Sequence, residues 1–287
     1  MSITGSARLA GVIGWPIAHS LSPQLHGYWI GQHGLDAVYV PLAIRKEDFA
    51  TALHGLRAAG FRGVNVTVPH KEAAFALADR CDGAALMAGA ANLLLFSNHG
   101  IEARNTDPAG LSAALCEALG EDAVKGQVAA VLGAGGMARS AVCALSELGA
   151  SEIRIFNRNI ARADSLAGAL APKLRARLTV FGFDRWAEGG KDVTLVVHAT
   201  SAGMKGAESL DLPLEILPTD TVVFDAVYNP LRTGLLARAE LCGLRTMDGL
   251  GMLMHQAVPA FAAFFGIEPK VSPALRNTLE EALRRGR

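Results

Sequence analysis

The stretch at residues 128–150, VAAVLGAGGMARSAVCALSELGA, decides how this chain is read. An apolar run of strand length ends in Gly133-Ala134-Gly135-Gly136-Met137-Ala138, and apolar residues at helical spacing follow it. In such a strand–turn–helix, Gly133 permits the tight turn and Gly135 lets a pyrophosphate approach the backbone. The small Ala138 allows close packing of helix on strand, and the N–H groups opening the helix face the phosphates. A second strand ending at Phe156 completes a β-α-β unit of the right length. The segment therefore predicts a dinucleotide site rather than a glycine-rich turn that binds nothing.

The end of that second strand selects between cofactors. An NAD site commonly places an acidic residue about 20 positions beyond the first glycine, where it holds the ribose 2′-hydroxyl and repels a 2′-phosphate. Here the position carries Asn157-Arg158-Asn159, with Arg162 following. No carboxylate is available, and the two arginines can make charge-assisted contacts to a phosphate dianion. NADP is expected over NAD; the alternative is that both arginines merely solvate the surface.

Working outward, strand-length apolar runs alternate with helical segments. The runs are LAGVIG (9–14), AVYVPLAI (37–44), GVNVTV (63–68), VAAVLG (128–133), IRIF (153–156), TLVVHA (194–199) and TVVFDAV (221–227). This alternation predicts an α/β fold with largely parallel sheets. At 287 residues, the chain suits one large or two small domains. The division is expected within 105–125, where NTDPAG opens a helix that ends at Gly120. The boundaries are placed at residues 1–107, 108–250 and 251–287, the last a set of C-terminal helices packing back toward the first domain.

Composition excludes several classes. Lys plus Arg and Asp plus Glu are 27 each, so there is no net positive field for nucleic acid. Cys81, Cys116, Cys143 and Cys242 form no CxxC pair, which disfavours structural zinc and a disulfide framework. The start has no signal-peptide pattern, and no run of about 18 apolar residues suggests a membrane span. A cytoplasmic protein is expected. The eight histidines, including His19, His70, His198 and His255, fall at no recognised zinc spacing, so no metal is expected.

Other segments supply polar groups for a small acid. In GWPIAHSLSPQLH, Ser20 and Ser22 precede a helical segment and can hold a carboxylate with nearby N–H groups, or serve as ordinary caps. In GVNVTVPHKEAAF, period-two spacing puts Asn65 and Thr67 on one strand face, and Lys71 follows at a helix start. The helix dipole disfavours a charged amine there, which suits a proton-transfer role, though exposed lysines are common at such places. Asp107 of NTDPAG is its candidate partner, or a helix cap. A nearby carboxylate would orient the ammonium while raising its pKa. In DGLGMLMHQAVPAF, Met252 and Gln256 share one helix face; Met252 can pad an aromatic ring and Gln256 can bond hydroxyls.

Together these segments closely resemble the shikimate dehydrogenase family over almost the whole chain. The matching segments are GWPIAHSLSP, NVTVPHKE, GAANLL, NTDPAG, GAGGMARSA, NRN, HATSAGM, DAVYNP and GMLMHQA, in that order. The resemblance implies an N-terminal substrate domain and a Rossmann-like NADP-binding domain with a ligand cleft between them. It also implies reversible NADPH-dependent reduction of 3-dehydroshikimate to shikimate in the chorismate pathway. Lys71 and Asp107 would be the catalytic pair. Ser20, Ser22, Thr67 and Tyr228 would position the carboxylate, and Asn92, Asp107 and Gln256 would bind ring hydroxyls. Gly133, Ala134, Gly135, Gly136 and Met137 would surround the pyrophosphate. Asn157, Arg158 and Arg162 would take the adenosine phosphate, and Ala226, Gly249 and Met252 the nicotinamide end.

The chain departs from the usual pattern in four places. GAANLL stands for GAVNTL, NRN for NRT or NRS, His198 for an asparagine, and Ala226 for a larger methionine. These changes keep open a quinate/shikimate or related ring-acid dehydrogenase using NAD or NADP, and a ligand or redox sensor without turnover. The resemblance further implies a small-molecule substrate, no nucleic-acid or membrane partner, and a monomer or homodimer.

Overall fold

Alternating apolar and helical segments build two separate sheets in the computed structural model, which describes residues 3–285. One compact unit runs to Thr106 and resumes at Leu253; the other is Asp107–Met252.

The first unit contains β1 (Arg8–Gly14), α1 (Ser22–Gln32), β2 (Ala37–Ala43), α2 (Phe49–Ala58), β3 (Phe61–Val66), α3 (Lys71–Ala76), β4 (Arg80–Cys81), α4 (Gly83–Ala88), β5 (Leu93–Ser97) and β6 (Gly100–Arg104). Its strand order is β2-β1-β3-β5-β6-β4. The central β1 is buried from Ala10 onward, as its unbroken apolar run requires. Ile13, Phe49, Leu53, Val64, Val66, Leu94 and Ile101 form one core cluster with small residues of α3 and α4.

This sheet is not parallel throughout. β1 pairs in parallel with β2 and β3, but β5 is antiparallel to both β3 and β6. The physical reason is a hairpin that the alternation rule misses. Ser97 and Gly100 are register partners across Asn98-His99, a two-residue connection that joins antiparallel neighbours. Five strands in all escaped the reading of apolar runs in this unit and the next: the hairpin pair, the two-residue β4, the half-buried strand near 177–181 and the short strand at Arg245–Met247.

The second unit contains α5 (Asp107–Leu119), β7 (Val128–Leu132), α6 (Gly136–Glu147), β8 (Glu152–Phe156), α7 (Ile160–Leu170), β9 (Arg177–Phe181), α8 (Trp186–Gly189), β10 (Leu195–His198), β11 (Val222–Asp225), α9 (Gly234–Leu241) and the short β12 (Arg245–Met247). Every pairing is parallel, and the order is β12-β11-β10-β7-β8-β9. Counted from β7 as the first strand, this is the 3-2-1-4-5-6 order of dinucleotide-binding sheets, read from the other edge. The winding reverses between β7 and β10, so a crevice opens beyond the carboxyl ends of these two strands. Leu132, Phe156, Trp186, Val196 and Val223 lie in one core cluster.

Two helices close the chain, α10 (Leu250–Phe265) and α11 (Pro273–Arg285). From Leu253 onward α10 belongs to the first unit, where Phe261 and Phe264 surround the fully buried ring of His26. His26 stacks on Tyr39 at a centroid distance of 3.9 Å, and burial pushes its pKa down to about 3. Trp29 donates its indole N–H to the Lys270 carbonyl at 3.2 Å, tying α1 to the segment before α11. Among the described residues no helix is long and apolar enough to cross a membrane.

Candidate active site

The glycine-rich turn sits at the reversal point of the second sheet. Gly133 has φ +121°, and its N–H donates to the Phe156 carbonyl at 2.7 Å, which ties the turn to the end of β8. A Cβ there would lie 2.9 Å from the Thr200 methyl and 3.2 Å from the Ala199 carbonyl oxygen, so only glycine fits. Gly135 is different: a Cβ there would meet nothing nearer than the Arg162 guanidinium, at 3.8 Å. It is the N-cap of α6 and supplies no side-chain cap, so the first N–H groups of α6 have no capping side chain. Ala134 is buried against the turn, while Gly136 and Met137 form the first helical positions. These residues fit the pyrophosphate of a dinucleotide.

Arg158 and Arg162 are both exposed, at the end of β8 and in the first turn of α7. Asn159 is the N-cap of α7. Its side-chain oxygen accepts from the Arg162 N–H at 3.1 Å and caps α7. Asn157 donates its amide to the Asn159 carbonyl at 2.7 Å. The NRN segment therefore builds the local frame of the strand end, with the exposed Arg158 and Arg162 beside it. Glu152 does not intrude, since it lies at the opposite end of β8. Burial would raise its pKa, but hydrogen bonds from Arg154, Thr179 and Arg177 outweigh that and hold it at about 2.

Ala226, Gly249 and Met252 belong to the same unit. A Cβ at Gly249 would overlap the carbonyl oxygen of Ala226, so these two are in backbone contact beyond β11. Tyr228 follows in the same loop and is half-buried.

The first unit gathers a different chemistry. Asn92 is buried just before β5; its Nδ2 donates to Thr106 Oγ1 at 2.9 Å and to Gln256 Oε1 at 3.0 Å. The Thr106 N–H returns a bond to Asn92 Oδ1 at 2.8 Å. These partners settle which way the Asn92 amide points. Behind it, Asn65 donates to the Asn92 carbonyl at 3.2 Å and accepts from the Tyr39 hydroxyl at 2.7 Å. Asn65 thus serves the framework. Tyr39 and Thr106 are site-supporting residues that the motif reading passed over; Tyr39 lies in an apolar run, and only its hydroxyl hinted at a partner.

Ser20, Ser22 and Thr67 lie beyond the ends of β1 and β3. The Ser20 hydroxyl accepts from the Ser22 N–H at 3.3 Å, which leaves its proton free to be given outward to an acceptor such as a carboxylate. Ser22 is the first residue of α1, a helix start without a side-chain cap. Thr67 falls just past β3; its N–H bonds the Ile13 carbonyl at 2.9 Å, and a Cβ at Gly14 would overlap its methyl. It does not share a continuous strand with Asn65, because β3 stops at Val66 ahead of Pro69.

Lys71 opens α3, and its carbonyl accepts from the Ala91 N–H at 2.9 Å, next to Asn92. His70 before it bonds the Ile44 carbonyl at 2.8 Å and stacks on Phe49, which is a structural duty. Asp107 is buried as the first residue of α5, directly after Thr106, and opens the second unit. Gln256 lies on α10, within the part that belongs to the first unit.

Residues 12–94 match the shikimate dehydrogenase substrate-binding domain, and residues 116–205 match the shikimate/quinate 5-dehydrogenase domain. A shikimate dehydrogenase (NADP(+)) of Paramagnetospirillum magneticum is 48% identical over 275 residues, covering 96% of this chain and 98% of that one. The chain belongs to the shikimate dehydrogenase family. Its fold is shared with a solved shikimate dehydrogenase in complex with NADP+, at TM-score 0.88 and 32% identity, covering 99% of this chain and 97% of that one. It is likewise similar to shikimate 5-dehydrogenase from Thermus thermophilus in complex with NADP(H) and shikimate, at TM-score 0.81 and 35% identity, covering 97% and 99%. As in the family, the segment with Ser20, Thr67, Lys71 and Asn92 lies in the substrate-binding match, and the glycine-rich turn in the dehydrogenase match.

Proposed function

We propose that this chain catalyses the reversible, NADP-dependent reduction of 3-dehydroshikimate to shikimate. One observation carries the cofactor half of this reading. β8 ends in an amide-capped turn with two exposed arginines and no carboxylate, next to an uncrowded glycine at the start of α6. The family match and the relatives' names support the substrate half.

In this reading Gly133, Ala134, Gly135, Gly136 and Met137 hold the pyrophosphate of NADP, Arg158 and Arg162 the 2′-phosphate with Asn157 framing them, and Ala226, Gly249 and Met252 the nicotinamide end. Bound NADPH supplies a hydride to the substrate carbonyl carbon. The protein's own task is placement and charge management. Ser20 and Ser22 donate hydroxyl hydrogen bonds to the substrate carboxylate, with Thr67 and Tyr228 beside them. Asn92 and Gln256 bond ring hydroxyls from the oriented amide network. Lys71 gives a proton to the oxygen that gains charge in the reducing direction, and Asp107 is its partner in that step.

The test is a turnover matrix of shikimate and quinate against NADP+ and NAD+, followed by cofactor absorbance. The expected result is a kcat/KM for shikimate with NADP+ well above the other three. Faster turnover of quinate would move the chain to the quinate branch of the family. No turnover with any pair, with NADP+ still bound, would mark a ligand sensor.

A further inference from the structure

A buried hydrogen-bonded chain in the second unit is unused by the roles above. His198 at the end of β10 and Asp225 at the end of β11 are register partners on neighbouring parallel strands, and both are buried. His198 Nδ1 lies 2.8 Å from Asp225 Oδ1, and its Nε2 lies 2.6 Å from Thr200 Oγ1. Asp225 also accepts from the Val227 N–H at 2.9 Å and from the Thr233 hydroxyl at 2.7 Å. Thr233 in turn caps α9 by accepting from the Leu236 N–H at 3.2 Å.

The donor count sets the polarity of the chain. The Asp225 oxygens already accept from the Val227 N–H and the Thr233 hydroxyl, and His198 Nδ1 faces the same carboxyl as a third donor. The tautomer with Nδ1–H offers Nε2 as an acceptor, and the Thr200 hydroxyl donates to it. The Thr200 oxygen meanwhile accepts from the Ala202 N–H at 3.1 Å. Two opposed bonds therefore fix the Thr200 side chain in one rotamer. That rotamer aims its methyl at Gly133, within 2.9 Å of where a Cβ would stand. Thr200 follows β10 and Gly133 follows β7, so the contact lies at the crevice where the winding of the sheet reverses.

We infer that His198 is a positioning residue for the dinucleotide site: through Thr200 it backs the Gly133 turn and holds the glycine-rich loop in its phosphate-accepting shape. The inference rests on the dinucleotide reading of the second unit. It predicts an effect on the pyrophosphate end, which NADPH and NADH share, rather than on the 2′-phosphate.

Binding of NADPH and NADH to the full chain, by calorimetry or by nicotinamide fluorescence without substrate, tests it on H198N, T200V and H198N/T200V. An asparagine at 198 keeps an amide N–H for Asp225 but stops short of Thr200, and valine keeps the shape of threonine without its hydroxyl. Thermal denaturation confirms that each variant is folded at the titration temperature. Each single variant should weaken both cofactors by the same factor, about 2–12-fold, as expected for loss of one hydrogen bond. The double variant should be no weaker than either single, since both cut one link. Unchanged affinity in H198N, multiplicative losses in the double variant, or a loss confined to NADPH would overturn the inference. A wild-type chain that binds neither cofactor would instead remove the dinucleotide reading beneath it.

Discussion

The two sheets solve the problem of holding a ligand in different ways. In the second unit the groups proposed to hold the ligand are mostly backbone: Gly133 bends the chain, Gly135 leaves room, and α6 opens with uncapped N–H groups and arginines nearby. The sheet beneath is parallel throughout, and one local motif announces the whole arrangement. In the first unit the groups are side chains brought together from far apart in sequence. Asn65, Asn92, Thr106 and Gln256 form one bonded cluster across a mixed sheet and a helix from the far end of the chain. A backbone site depends on conformation and tolerates side-chain exchange outside its glycines. A side-chain network depends on every member being present, since a buried polar group left without a partner costs about 1–3 kcal/mol.

The sharpest break in this comparison is expected at Lys71, where chemistry rather than binding is at stake. K71A should lower kcat by about 10²–10⁴ while NADPH affinity, measured by fluorescence titration, stays at the wild-type value. D107A should also lose turnover, and the double variant K71A/D107A should be less impaired than the product of the single losses. Near-normal kcat in K71A would remove the lysine from the reaction. Next in size, R158A should weaken NADP+ by about 10–100-fold and NAD+ little, because a charge-assisted contact worth about 1.5–3 kcal/mol is lost only with the phosphorylated cofactor. Equal losses for both would return Arg158 to the solvated surface.

A smaller effect is expected from Q256A. Asn92 keeps its Thr106 partner, so the fold should persist while the shikimate KM rises about 2–12-fold and the NADP+ KM does not move. A change in the NADP+ constant of the same size would blur the distinction between the two regions. The smallest functional effect belongs to His26, which marks the packing of the first unit alone. Its folded pKa of about 3 lies below its ordinary value of 6.5, because burial disfavours the charged ring. The unfolded chain takes up a proton as pH falls below 6.5 and the folded chain does not until about 3. Stability from this group is therefore complete above that window and declines within it, by about 1.4 kcal/mol per pH unit for one proton. In H26F, denaturant unfolding followed by far-UV circular dichroism between pH 4 and 7 should show a shallower loss than wild type. An unchanged slope would mean that another group carries the acid sensitivity.

Much of the second unit was legible in the sequence because its signals are local. A glycine pattern between a strand and a helix, and a strand end without a carboxylate, each need only a short window. The limits of that window also explain what was missed. Asn159 caps α7 by accepting from the Arg162 N–H, a bond that the glycine and arginine pattern does not announce. His198 was visible only as an unusual residue; its bonds to Asp225 and Thr200 depend on the pairing of β10 with β11. In the first unit, Ser20, Thr67, Lys71 and Asn92 could be named from motifs, but the amide network behind them could not. Tyr39 reads as one more apolar strand residue until the sheet places its hydroxyl against Asn65. The antiparallel hairpin went unread for a related reason, since apolar runs do not carry strand direction and the signal lay in the Asn98-His99-Gly100 turn.

The central claim is a division of labour, with the acid recognised by the first unit and the phosphorylated dinucleotide by the second. Its most direct test is the pair of dissociation constants, for shikimate and for NADP+, measured by calorimetry on full-length wild type, S20A/S22A and R158A. The predicted result is a crossed pattern: S20A/S22A weakens shikimate and leaves NADP+ unchanged, whereas R158A weakens NADP+ and leaves shikimate unchanged. Parallel losses of both ligands in either variant, or an unchanged shikimate constant in S20A/S22A, would contradict it.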